Sequence, residues 1–215
     1  IGPVMVGPSS SHTAGAVKIG QISRKLLAEP VQQAEICFHG SFLATGKGHG
    51  TDRALVAGLL GLAVDDENIP NSFAIAAERN LTFSIHGIDL GDAHPNTVKM
   101  KLTGESGRTL EIVAASIGGG QIRICEIDGL TANFCGEYPT LIVHNLDQPG
   151  HVTEVTSMLA HKSVNIATMQ LYRDSRGGNA VMVIECDQEV PQEAIRWLEH
   201  LEGIEKVTYL SLEES

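Results

Sequence analysis

Ile19, Ile22 and Leu26 recur three and four residues apart, a spacing that places them on one face of a helix. The pattern predicts a helix over 13–29, ended by Pro30. Apolar and polar residues then alternate over 34–42, the period of a half-buried strand. Glycines punctuate 44–50 and predict a loop. Thr51 suits the N-cap of a following helix that runs to 64. The apolar stretch inside that helix, 55–64, is too short to cross a membrane. A short helix is expected over 73–78. Strands are expected over 81–86, 97–102, 110–117 and 121–127, the last of them joined by short turns as an antiparallel meander.

Beyond 136–139, a natural joint, the pattern becomes regular. A strand over 140–145 leads into a helix over 150–162 with Val152, Val155 and Leu159 on one face. Strands over 164–173 and 180–186 flank a hairpin turn at 176–179. A last helix has Pro191 in its first turn and Gly203 at its end, and a strand over 204–210 closes the chain. The order β-α-β-β-α-β describes a ferredoxin-like unit, whose edge strands offer pairing to a second copy, so a homodimer through this unit is expected. The fold class is α+β in two domains. Residues 1–137 form an α+β domain with an antiparallel sheet, and 138–215 form the ferredoxin-like domain.

Composition narrows the function classes. Hydrophobic residues make up 42% and charged residues 19%, as in folded globular chains. The formal charge is −11. Ten basic and 14 acidic residues lie up to position 137, and 5 and 12 lie beyond it, so both parts are acidic. Such a surface repels a phosphate backbone, and aromatics are only 4%, so nucleic acid is not an expected partner. The four cysteines, Cys37, Cys125, Cys135 and Cys186, contain no CxxC, so a local zinc or ferredoxin-type cluster motif is missing. They read as small buried hydrophobes of a reducing compartment. With Ile1 first and no charged-then-apolar leader, the chain reads as a cytoplasmic protein incomplete at its start, with no membrane partner.

Five stretches carry possible chemistry. Gly7-Pro8-Ser9-Ser10-Ser11-His12-Thr13 stands at the mouth of the first helix, where free amides and the positive dipole end favour an anion. Hydroxyls and an imidazole beside those amides suit a carboxylate, although a surface N-cap explains a serine cluster too. His39-Gly40-Ser41, followed by Lys47, His49, Thr51 and Asp52, sets charge and donors among glycines. His49 is a candidate acid or base, against the alternative of a glycine-rich turn with a capping Thr51. His94-Pro95-Asn96-Thr97 is a turn before a strand, explicable by Asn96 turn chemistry alone. Ser116-Ile117-Gly118-Gly119-Gly120 permits a bulge or a close ligand approach; a dinucleotide fingerprint does not fit, because no helix is expected after it. In Asn145-Leu146-Asp147-Gln148-Pro149-Gly150, helix-start amides offer a place for a small effector, or simply make a turn. The remaining histidines show no paired metal spacing.

The stretches 7–13, 39–52 and 94–97, in that order, resemble the beta chain of the two-subunit iron–sulfur L-serine dehydratases. The second half resembles an ACT domain through its element order and the Asp147-Gln148-Pro149-Gly150 turn. The first half is also similar to the allosteric substrate-binding domain of some phosphoglycerate dehydrogenases. The resemblance implies an L-serine ammonia-lyase that converts L-serine to pyruvate and ammonia. It implies a [4Fe–4S] cluster held by a partner alpha chain and not by this one, so that this chain alone is inactive. It implies His12, His49 and Asp52 as catalytic or orienting groups. Ser9, Ser10, Ser11, Thr13, His39, Gly40, Ser41, Lys47, Thr51, His94 and Asn96 become substrate contacts, and Asn145, Asp147 and Gly150 effector contacts. The alternative is an allosteric module that senses serine or a hydroxy acid without a catalytic role.

Overall fold

The computed structural model describes residues 12–213, in two compact units divided between Gly129 and Leu130. The first unit begins with helix α1 (Ala14–Leu27), strand β1 (Val31–Phe38), and helices α2 (Gly40–His49) and α3 (Thr51–Leu59). A 3₁₀ turn (Ile69–Asn71), helix α4 (Ser72–Glu78) and strands β2 (Thr82–Gly87), β3 (Thr97–Gly104), β4 (Thr109–Gly118) and β5 (Gln121–Ile127) come next. The sheet order is β2-β1-β3-β4-β5. It is antiparallel except at β1–β2, which run parallel because α2, α3 and α4 carry the chain back between them.

One face of this sheet is apolar. Ala34, Ile36 and Phe38 of β1, Val98, Met100 and Leu102 of β3, and Leu110, Ile112 and Ala114 of β4 are buried at every second position. The helices cover that face: α1 lies over β3, β4 and β5, and α2 over β1 and β3, while α3 packs on α1 and α2. Helix α1 ends because Ala28 turns left-handed (φ 64°) and its N–H bonds the Arg24 and Lys25 carbonyls, with two cations favourably placed in the last turn.

The packing of α1 on α3 leaves no room for side chains. A Cβ on Gly58 would strike the Val17 carbonyl oxygen, and one on Gly20 would lie 2.5 Å from the Leu55 carbonyl oxygen. Farther along, Arg24 Nη1 donates to Leu59 O at 3.4 Å and Gln21 Nε2 to Leu62 O at 2.7 Å. Residues in the second half of α1 thus reach the end of α3 and the residues just after it.

The glycine-punctuated stretch 44–50 is helix α2, where the sequence pattern predicts a loop. Intrinsic propensity disfavours glycine in a helix, but the start of α2 is nucleated from outside: Pro95 O accepts from Ser41 N–H (2.7 Å) and Phe42 N–H (3.4 Å). Gly40, at φ 57°, permits the approach, since a Cβ there would lie 2.5 Å from the same oxygen. For the same reason β1 stops at Phe38 and does not reach residue 42. Gly50, not Thr51, is the N-cap of α3, and α3 ends at Leu59.

The second unit opens with β6 (Leu130–Phe134), which the sequence pattern did not predict. Then come β7 (Thr140–Leu146), α5 (His151–His161), β8 (Ile166–Arg173), β9 (Asn179–Cys186), α6 (Gln192–Glu199) and β10 (Ile204–Leu210). The antiparallel order β10-β7-β9-β8 is that of a ferredoxin-like sheet. Leu141, Val143, Val155, Leu159, Met182, Ile184, Ile195 and Leu198 form its core between the sheet and the two helices.

Gly58→Ala tests the helix crossing. Alanine gains up to about 1 kcal/mol of helix propensity, while overpacking against backbone costs about 1–3 kcal/mol. Thermal unfolding followed by circular dichroism should show a lowered midpoint; an unchanged or raised midpoint would mean the two backbones are not in contact there.

Candidate functional site

The site is built where polar residues occupy the apolar phase of the sheet. Ser116 continues the inward series Leu110, Ile112, Ala114 on β4, and Asn96 precedes the inward series Val98, Met100, Leu102 of β3. The two are cross-strand neighbours: Thr97 pairs with Ala115, and Ser116 N–H donates to Asn96 O at 3.0 Å. Both therefore face the helix layer at one end of the sheet. The contact there is specific: Ser116 Oγ occupies the space a Cβ on Gly15 would take, in the first turn of α1.

The His39 and His94 stretches gather at the same end. His39 N–H donates to Thr97 O at 3.0 Å. The His39 ring Nδ1 accepts from Leu90 N–H, and the His94 Nδ1 accepts from Asn96 N–H, both at 3.1 Å. An Nδ1 that accepts a hydrogen bond leaves the ring proton on Nε2, so Nε2–H is the donor of each ring. Thr97 Oγ1 donates to His94 O at 2.6 Å and tightens the turn. The His12 ring packs on the fully buried Phe42, centroids 5.7 Å apart, and Phe42 meets Phe38 edge-on at 5.8 Å.

The starts of α1 and α2 lie in this region, and they and the start of α3 differ electrostatically. The first amides of α2 are taken by Pro95 O. At α3, Asp52 sits in the first turn and its Oδ1 accepts from Arg53 N–H at 2.8 Å, so an anion is already in place. Helix α1 has no acidic residue in its first turn and no side-chain cap among the described residues. It is thus the helix start whose amides and dipole suit an incoming carboxylate. Buried oxygens without a hydrogen-bond partner among the described residues include Thr13 Oγ1, Asn96 Oδ1 and Ser116 Oγ of this region, and Thr51 Oγ1 at the start of α3. Buried polar atoms normally find partners, and leaving one unmade costs about 1–3 kcal/mol.

Of the residues expected to act, Ser9, Ser10 and Ser11 lie outside the described residues, as do the side chains of Lys47 and His49, whose backbone belongs to α2. His12, Thr13, His39, Gly40, Ser41, Thr51, Asp52, His94 and Asn96 belong to the three helix starts and the β3 rim. Arg53, beside Asp52, is anchored elsewhere, donating to Pro70 O at 2.6 Å and stacking on Phe73 at 4.6 Å. Sequence reasoning gave Gly15 and Phe42 no role, and named Ser116 only within 116–120, a stretch that permits a bulge or a close ligand approach, without making it a site residue. The legible signal for Ser116 was a hydroxyl standing in the apolar phase of a strand.

No three His, Cys, Asp or Glu side chains among the described residues converge as a metal site. Burial raises the pKa of Cys37, Cys125 and Cys135, and that of Cys186 to about 11, which keeps the thiols protonated rather than in the thiolate form that ligates metal. The residues present do not fit an iron–sulfur cluster.

In the second unit, the turn between β7 and α5 is tied to the β8–β9 hairpin. Asp147 Oδ2 accepts from Gly177 N–H and from Arg173 Nη1, both at 2.9 Å, and Asp147 N–H donates to Gly178 O at 2.8 Å. The Gly177 amide first, then the Arg173 guanidinium, hold the Asp147 carboxyl below the usual aspartate range. Asn145 is buried, donating to Leu146 O at 2.7 Å, and its Oδ1 has no partner among the described residues. Gly150 caps α5 at φ 104°. His151, read from sequence as a surface or core residue, is buried with Nδ1 3.0 Å from Glu154.

Comparison with known proteins decides the family. Residues 2–126 match the family described as serine dehydratase beta chain. The chain belongs to the serine dehydratase beta-chain family. A probable L-serine dehydratase beta chain of Bacillus subtilis (strain 168) is 39% identical over 211 residues, 98% of this chain and 96% of that protein. The L-serine dehydratase beta chain of Peptoniphilus asaccharolyticus is 38% identical over 193 residues, 89% and 87% of the two chains. A D-3-phosphoglycerate dehydrogenase of Bacillus subtilis is 30% identical over 201 residues, which cover 92% of this beta-family chain and 37% of the dehydrogenase. No helix among the described residues is long and apolar enough to cross a membrane.

The Asp147 geometry makes a titration prediction. The carboxyl should titrate by NMR below ~3.9, the ordinary aspartate value. Its contribution to stability is complete above that value and is lost as pH falls through the lower folded pKa. In Arg173→Ala the midpoint should move up but stay depressed, because the Gly177 amide remains. A midpoint in the ordinary range in the unmodified protein would overturn the assigned bonds.

Proposed function

We propose that this chain is the beta subunit of an L-serine dehydratase and that its part of the reaction is to hold the substrate. The observation that carries the reading is the start of α1, uncapped and free of acidic residues in its first turn, with buried hydroxyls of Thr13 and Ser116 beside it that have no partner among the described residues. The names of the relatives support it.

The reaction removes water from L-serine, the α-proton and the β-hydroxyl leaving to give an enamine. The enamine tautomerises to an imine, which water hydrolyses to pyruvate and ammonia. A [4Fe–4S] cluster, which supplies Lewis acidity to a departing hydroxyl, belongs in this reading to the partner alpha chain. This chain's residues bind and orient. The α1 amides with Thr13 take the carboxylate, and Ser9, Ser10 and Ser11 precede them in sequence. His12, braced by Phe42, is set beside that anion. His39 and His94 offer Nε2–H donors in fixed tautomers. His49 and Asp52 are the groups proposed for proton transfer or orientation, with Gly40, Ser41, Lys47, Thr51 and Asn96 lining the site. L-serine is the substrate, and homodimer contacts run through an edge strand of the ferredoxin-like unit. Asn145, Asp147 and Gly150 form an effector turn.

The similarity to a dehydrogenase over 92% of this chain favours one second reading. In it, the same site senses serine or a hydroxy acid without taking part in turnover.

Anaerobic co-purification with the alpha chain tests both. Pyruvate should form from L-serine only when the two chains are combined. His12→Ala should lower its rate roughly 10- to 100-fold, the worth of a hydrogen bond to a charged group. Full turnover by the His12→Ala complex would remove His12 from the site. Full turnover by the alpha chain alone, merely modulated by this chain, would establish the sensing reading instead.

A further inference from the structure

Ser116 carries a buried hydroxyl that the family resemblance does not assign. Its placement is unusual on three counts. It is fully buried in the apolar phase of β4, where a small hydrophobe is the ordinary occupant. Its Oγ has no partner among the described residues. Glycine at position 15 is what makes room for it, since any Cβ there would collide with that hydroxyl. The first turn of α1 presents amide donors, so a carboxylate bound there would accept from those amides and from such a hydroxyl. Beside it stands the complementary group: Asn96 Oδ1 is also buried and without a partner among the described residues, and an oxygen of that kind only accepts. The backbone bond between the two residues, 3.0 Å from Ser116 N to Asn96 O, holds donor and acceptor in register.

We propose that Ser116 is a substrate-binding, specificity-determining residue: its hydroxyl donates to the substrate carboxylate at the start of α1, while Asn96 Oδ1 accepts from the α-ammonium. A donor and an acceptor side by side match the two charged groups that every α-amino acid carries on one carbon. The pair therefore selects an α-amino acid over the corresponding hydroxy acid, because a hydroxyl in place of ammonium carries no charge to reward Asn96. The inference rests on the serine-dehydratase reading of the same site.

The test uses the assembled two-chain enzyme. Ser116→Ala should raise KM for L-serine about tenfold or more, with a much smaller change in kcat, as a lost charge-assisted hydrogen bond requires. The same variant without substrate should unfold at the wild-type midpoint or above it, because the deleted hydroxyl satisfies nothing in the free protein. A structural hydroxyl would instead lower the midpoint, and that result overturns the proposal. Ser116→Cys, nearly the same shape with a weaker donor, should give an intermediate KM; wild-type KM in both variants overturns it too. Asn96→Ala should narrow the preference for L-serine over glycerate, read as competitive inhibition, by about tenfold. An unchanged preference removes the ammonium contact. If the alpha chain alone turns over L-serine fully, the parent reading has failed. If turnover requires both chains and Ser116→Ala leaves KM unchanged, only this inference has failed.

Discussion

Where α1 crosses α3, the two backbones touch. Gly20 and Gly58 face each other's chains so closely that a methyl group on either would meet a carbonyl oxygen. The layout of the whole site depends on this contact. It sets α3 firmly on α1. Gly15 repeats the device against the sheet, letting Ser116 reach the first turn of α1. Three glycines along two helices thus decide where buried hydroxyls can stand. Each costs helix propensity of about 1 kcal/mol relative to alanine, a cost offset by the apolar burial the close packing allows, about 0.8 kcal/mol for each CH₂ removed from water.

The electrostatics of the site depend on small local differences between helix starts. The chain as a whole is acidic, at −11, which opposes the approach of any carboxylate over long distances. Selectivity is therefore a matter of the last few ångströms, where amides and hydroxyls act at full strength in a desolvated setting. Pro95 O occupies the start of α2, and Asp52 occupies that of α3. Only at α1, of these three and among the described residues, do the amides face neither a backbone acceptor nor a carboxylate of the first turn.

Much of the architecture was readable from periodicity. The strands over 121–127 and 204–210 coincide with β5 and β10, and the βαββαβ order of the second unit reflects alternating periods of 3.6 and 2. Helix α2 was not readable, because its glycines argue for a loop and its stabilising cap is a carbonyl more than 50 residues away, at Pro95. Strand β6 escaped for a related reason: Leu130–Phe134 is five residues long and its alternation is too brief to stand out. The site was half readable. His12, His39 and Asn96 stand in stretches rich in glycine, proline and hydroxyl residues, and Ser116 heads a run of glycines whose role stayed open, whereas Phe42 sits in a run that looks like ordinary strand.

The amino-acid sequence by itself determined the two-part α+β organisation, the absence of local cluster-binding cysteine spacing and the loops rich in anion-binding groups. These properties are local: each depends on residues within a turn or two of one another, where spacing translates directly into geometry. Tertiary structure alone decided which helix start is open to an anion, which histidine nitrogens keep their protons, and that Ser116 and Asn96 face the first turn of α1 as neighbours. Apart from the His94 ring, which Asn96 fixes two residues away, those facts depend on contacts between residues about 20 to 100 positions apart along the chain, and no pattern within either segment encodes what the other will place against it.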